Sequence, residues 1–211
     1  MNCMIRNIAL LALLSGAGLA QAQQSTVKFG ITRYQTHAQT SGITGIGIPP
    51  GADAQIGSAT TVLATYEFEV MPDVGVELVL GIPPKIKAKA SGSVAFLGDV
   101  LEAKNLAPTL LFNYHFGKDG DSLRPYIGAG INYTRFVGIS SPYGWQVSLK
   151  DSWGPTVQIG LNYAIDKQWG GFASVAAVKT KSDLVATGAT VLQTTIDFKP
   201  VVYTAGLSYR F

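Results

Sequence analysis

Groups able to make or break bonds are scarce in this chain. It holds two histidines, His37 and His115, and a single cysteine, Cys3. A nucleophile–base pair or a zinc centre needs such groups converging with Ser, Asp or further ligands. His37 falls at a strand-to-loop boundary and His115 faces inward near one end of its strand. Neither has a Ser or Asp companion at a shared depth, so a structural role fits both better than catalysis. The stretch "GAGINY", 128–133, mimics a dinucleotide loop, but Tyr133 stands where the third glycine belongs and no βαβ unit surrounds it. "NYT" at Asn132 matches a glycosylation acceptor yet lies mid-strand. These patterns imply no catalytic residue, no metal and no cofactor. What remains is charge on small-residue strands: Lys28, Glu67, Glu69, Glu77, Arg124 and Arg210. Charges confined in a narrow interior must pair, because desolvating them alone is costly. The chemistry to expect is ion pairing.

The elements that position these residues show a period of two. In "WGPTVQIGLNYAI", Trp153, Val157, Ile159, Leu161 and Tyr163 take one face; Gly154, Thr156, Gln158, Gly160 and Asn162 take the other. "RPYIGAGINYTRF" and "LAPTLLFNYHF" alternate alike, and further segments run over 27–34, 61–71, 74–82, 169–181 and 201–211, eight in all. Short turns ("PDVG", "GKDGDSL", "DKQ") trade places with long connections over 37–60, 83–105, 137–152 and 183–199. This predicts an all-β fold: an eight-stranded antiparallel up-and-down barrel, with all its long connections at one end.

Orientation follows from what lies opposite the apolar face. Those positions are mostly Gly, Thr, Ser, Asn and Gln, and only 14% of the chain is charged against 47% hydrophobic, whereas a soluble exterior carries many Lys, Glu and Asp. Aromatics collect towards strand ends, at Tyr66, Phe68, Tyr114, Phe116, Tyr133, Tyr163, Trp169, Tyr209 and Phe211, as interfacial girdles require. The apolar face therefore meets lipid, giving a transmembrane β-barrel. Residues 1–22 read as a secretory signal: Arg6, an apolar run from Ile8 to Leu14, and Ala20-Gln21-Ala22 as a cleavage site. Residues 23–211 then form one barrel domain in a bacterial outer membrane. Removing Arg6 leaves 15 basic against 13 acidic residues, too even a balance for nucleic acid. Terminal Phe211 closes the barrel at the periplasmic girdle.

Together "GVELVLGIPPKIKA", "LAPTLLFNYHFG", "RPYIGAGINYTRF", "LKDSWGPTVQIGLNYAIDKQW" and "AGLSYRF" resemble the OmpW family of small outer-membrane proteins, which includes AlkL-type hydrocarbon importers. The resemblance covers nearly the whole chain from Val27. It implies a hydrophobic channel, open to the outside, for small hydrophobic molecules crossing the lipopolysaccharide layer.

With the short turns in the periplasm, depth can be assigned to each inward residue. Lys28, Glu67, Glu69, Glu77, Arg124 and Arg210 fall in the periplasmic half and predict a salt-bridged plug, with Asn113 and His115 close by. Leu63, Val79 and Leu111 fall in the outer half, and the register implied by the resemblance adds Phe172, Ala176 and Val178, as the lining of a blind-ended funnel. Pro108 and Pro155 lack the N–H of a ladder bond and are candidates for a lateral exit into the bilayer. Lys85, Lys87 and Lys89 follow a strand end on the outer side, where lipopolysaccharide phosphates could meet them. The C-terminal strand implies engagement of the barrel assembly machinery. Two other readings stay open: a structural or adhesive barrel of the OmpX kind, and an acyl-transferring barrel of the PagP kind.

Overall fold

The computed structural model describes residues 24–188 and 191–211. The expected leader, Met1–Ala22, lies outside these residues. Eight strands form the barrel: β1 (Ser25–Gln35), β2 (Ala59–Met71), β3 (Val74–Gly81), β4 (Thr109–His115), β5 (Leu123–Ser140), β6 (Ser152–Ala164), β7 (Trp169–Val178) and β8 (Val201–Arg210). Each pairs antiparallel with its sequence neighbours. Closure comes from β1 against β8, in register from Thr26↔Arg210 to Gln35↔Val201. Phe211 extends that seam, its N–H donating to Ser25 C=O at 3.0 Å and its C=O accepting from Ser25 N–H at 3.2 Å. Closure leaves no free sheet edge in lipid, where an unpaired backbone group costs several kcal/mol.

The pleat sends side chains alternately to lipid and lumen. Phe29 and Ile159 are each 62% exposed on the outer wall, whereas Lys28 and Leu111, on the inner wall, are 1% and 2% exposed. Trp153 and Tyr163 project outward ten residues apart on β6. At about 3.3 Å per residue and about 40° of tilt they stand about 25 Å apart along the membrane normal, the height of an outer-membrane apolar band. Tyr133 packs on Trp153 at the outer girdle (centroids 4.7 Å apart), and Trp169 on Tyr209 at the inner one (5.0 Å).

The long connections differ from the sequence expectation, for they are themselves strands. Lys85–Gly92 and Asp99–Leu106 form a hairpin that pairs with Ala52–Ile56 on one side and with the top of β5 on the other. Thr180–Thr187 and Val191–Phe198 form a second hairpin, joined by Gln146–Leu149. The two hairpins face each other across an apolar core of Ala88, Leu101, Ala103, Phe136, Leu149, Ile196 and Phe198. Their alternation is that of a soluble sheet: in Lys85–Gly92 the lysines point out while Ala88 and Ala90 are buried. Alanine carries little apolar weight, so the pattern is faint beside the membrane strands. β7 also stops at Val178 instead of reaching Lys181: Lys179 N–H still donates to Pro155 C=O (3.1 Å), but Pro155 has no N–H to return the bond, and the chain leaves for the second hairpin.

Candidate functional site

The periplasmic half of the lumen is filled by an ion cluster. Lys28 Nζ from β1 lies 2.7 Å from Glu67 Oε2 on β2 and 3.1 Å from Glu77 Oε1 on β3. The carboxylates are completed by neutral donors: Asn113 Nδ2 donates to both (3.0 and 2.8 Å), Thr65 Oγ1 to Glu77 (2.7 Å) and Gln158 Nε2 to Glu77 (2.8 Å). His115 Nε2 lies 2.6 Å from Glu67 Oε1. The Lys28 ammonium also sits 4.9 Å from the Tyr126 ring centroid, a cation–π contact. A cluster so buried is tolerable only because its hydrogen bonds are this complete. Glycines make the room: a Cβ at Gly128 would strike Asn113 and Gln158, and one at Gly160 would strike the Tyr126 ring.

The six charged residues expected to form one plug divide into two tiers. Lys28, Glu67 and Glu77 form the buried tier. Arg124 and Arg210 belong to a rim at the periplasmic turns, where Arg124 pairs with Asp73 (2.7 Å) and Asp119 (3.4 Å) and Arg210 with Asp119 (3.0 Å). Partial burial pushes the Asp119 carboxyl up, but a hydrogen bond from Gln24 and the charges of Arg210 and Arg124 outweigh it and hold it below its usual range. Glu69 accepts the backbone N–H of Asp73 (3.2 Å), whose φ of 64° is left-handed in the β2–β3 turn. A strand pattern gives depth and face, but not reach: the long arginines extend to turn carboxylates instead of to the cluster. A vestibule of about 520 Å³ lies on this side, bounded by both tiers.

Above the cluster the lumen changes character. All six apolar residues singled out from the sequence, Leu63, Val79, Leu111, Phe172, Ala176 and Val178, line one cavity of about 60 Å³. Glu77 and Gln158 contribute to the same lining from the ion cluster. The sequence pattern did not single out Tyr34, which also lines the cavity, or Tyr126, which lies against Lys28 in the ion cluster. Tyr126, 2% exposed, was signalled by its register partner Gly160, a ring facing a residue without a side chain. His37 is exposed, in the segment following β1, away from His115.

The barrel wall beside the cavity has a seam. The β3–β4 ladder ends at Val79↔Thr109. Among the described residues the next backbone bond across that seam runs from Asn105 N–H to Pro84 C=O (3.0 Å). Pro83 and Pro84 on one side and Pro108 on the other have no N–H to continue it. The lip is held from within: Asn132 Nδ2 donates to Thr109 Oγ1 (2.8 Å) and Ala107 C=O (3.2 Å), and Thr134 Oγ1 donates to Asn132 Oδ1 (2.6 Å). Pro155, by contrast, sits in an unbroken register with Ile131, and its C=O is bonded by Lys179 N–H. The β5–β6 wall is continuous there. On the outer hairpin Lys85 pairs with Glu102 and Lys87 with Asp99, both at 3.0 Å, while Lys89 is exposed.

Residues 21–211 match the OmpW family. The chain belongs to that family. Outer membrane protein W of Vibrio cholerae serotype O1 is 29% identical over 218 residues, covering 98% of each chain. Outer membrane protein AlkL of Ectopseudomonas oleovorans is 29% identical, covering 79% of this chain and 73% of its own. The crystal structure of OprG from Pseudomonas aeruginosa superposes with a TM-score of 0.83 at 25% identity, over 90% of this chain and 96% of that one. This OmpW-family chain is thus an outer-membrane β-barrel of the OmpW/AlkL type.

Proposed function

We propose that this OmpW-family barrel takes small hydrophobic molecules into its outer lumen and releases them sideways into the bilayer, with no enzymatic step. The observation that carries this reading is the division of the lumen by depth. Six apolar residues, set among threonines, Ser174 and Asn132, line a void that borders the buried Lys28–Glu67–Glu77 cluster at Glu77. A cargo that cannot shed its affinity for apolar walls gains nothing by entering an ionic floor, so its exit lies to the side. The seam beside Pro108 opens off the cavity, since Thr109, Ala107 and Asn132 line both. Pro155 has no part in it.

On this reading lipid and lipopolysaccharide surround the wall, with Lys85, Lys87 and Lys89 towards the lipid phosphates, and the C-terminal strand ending in Phe211 addresses the barrel assembly machinery. The cavity volume favours a second reading, a structural barrel without transport, because about 60 Å³ holds only about two waters. Uptake of a labelled hydrophobic compound by intact cells with and without this gene, beside a hydrophilic control, separates the two. Transport predicts faster hydrophobic uptake alone; a structural barrel predicts no difference. Within transport, Pro108→Ala slows uptake and Pro155→Ala leaves it unchanged. Unchanged uptake in both removes the prolines from the exit.

A further inference from the structure

The cavity has a ceiling as well as a floor. Moving up the inward positions of β5, Asn132 of the cavity lining is followed by Thr134 and then Phe136. On the opposite wall, Val202 of the lining leads across Pro200 to Phe198, at the end of the second outer hairpin. Both rings are buried, 9% and 7% exposed, and they pack at 5.5 Å between centroids with 34° between planes. They come from the two facing outer sheets and belong to the apolar core between them, a few residues along the chain from Asn132 and Val202 of the cavity lining.

A cavity of about 60 Å³ is less than half of the roughly 150 Å³ that one benzene occupies in a dry apolar site. Something must yield to admit a hydrophobic molecule from outside. The floor is bound by ion pairs and at least five side-chain hydrogen bonds. The walls are closed ladders apart from the seam. The contact of Phe136 with Phe198 on the outer side of the cavity is one of carbon rings, held by dispersion and apolar burial, which a hydrocarbon can replace contact for contact.

We infer that the Phe136–Phe198 pair is the size filter of the outer lumen: the rings part for narrow hydrocarbons, and their bulk sets the widest molecule that reaches the cavity. This rests on the hydrophobic-uptake reading. The test measures uptake of labelled n-octane and labelled adamantane by intact cells carrying the wild-type barrel, Phe136→Ala/Phe198→Ala, Phe136→Leu/Phe198→Leu, Phe198→Trp, or no barrel. Folding of each variant is checked by its heat-modifiable gel mobility. The expected result is that the double alanine variant raises the adamantane-to-octane ratio roughly tenfold, the low end of what a change of hydrocarbon bulk does in an apolar site. The leucine pair raises it less, and Phe198→Trp lowers it below wild type. Should the alanine pair fail to fold, the leucine and tryptophan variants still move the ratio in opposite directions. Wild-type octane uptake equal to that of barrel-less cells removes the uptake reading and this inference together. Octane uptake present, with an unchanged ratio in every folded variant, overturns the filter alone.

Discussion

The two halves of one lumen solve the same problem in opposite ways. An eight-stranded barrel leaves an interior just wide enough for side chains to fill. In the periplasmic half it is filled with Lys28, Glu67, Glu77, Asn113 and Gln158, each held by several directed bonds. In the outer half it is filled incompletely, by aliphatic and aromatic groups interspersed with threonines, Ser174 and Asn132 around a small void, and among the described residues no ion pair reaches across it. Directed bonds fix a geometry and resist displacement, whereas apolar contacts exchange freely with an apolar guest. On the proposed reading, the barrier belongs to the first half and adaptability to the second.

The comparison breaks most visibly at Lys28. Lys28→Met leaves two buried carboxylates facing each other without their cation, and the barrel should lose about 3–5 kcal/mol, read as a lower midpoint of thermal unfolding in detergent. Replacing all three charges, by Lys28→Met/Glu67→Gln/Glu77→Gln, should recover most of that loss. If the triple variant is as unstable as the single one, the cluster is not acting through charge balance. Gly160→Val sharpens the steric side of the same tier: it drives a side chain into the Tyr126 ring and should cost about 1–3 kcal/mol, whereas Gly171→Ala, with only the Gly206 carbonyl at 3.7 Å, should cost less. The rim gives the smallest effect. Asp119 is held below its usual carboxylate range, so its contribution is present above the unfolded value of about 3.9 and fades as pH falls through the lower folded one. Because the pairs are partly solvent-exposed, Asp119→Asn should cost under about 1 kcal/mol at neutral pH and flatten the acid limb of the stability curve.

Much of this was legible in the sequence. Membrane strands alternate bulky apolar residues with Gly, Thr and Asn, so Leu63, Val79 and Leu111 could be placed inward and deep from pattern alone. Phe172, Ala176 and Val178, with apolar residues on both faces, needed the register that family resemblance supplied. The rest depended on distances a pattern does not carry. Arg124 and Arg210 share a face with the ion cluster, but their length takes them to Asp73 and Asp119. The seam arises where the β3–β4 ladder ends at Val79↔Thr109, short of Pro83 and Pro84, and a lone proline such as Pro155 is indistinguishable in sequence until its neighbours' bonds are known. The outer hairpins escaped notice because the alternation of Ala88 and Ala90 with Lys87 and Lys89 is the inverse of the membrane pattern.

The central claim is that cargo uses the outer half of the lumen and never crosses the ion cluster. Its most direct test is the initial rate of n-octane uptake by intact cells carrying Leu111→Glu or the triple charge-replaced variant, both confirmed as folded. A carboxylate at Leu111 puts an unpaired charge in the cavity wall and should abolish uptake, while neutralising the floor should leave the rate unchanged. Uptake that survives Leu111→Glu, or that moves only when the floor is altered, would contradict the account.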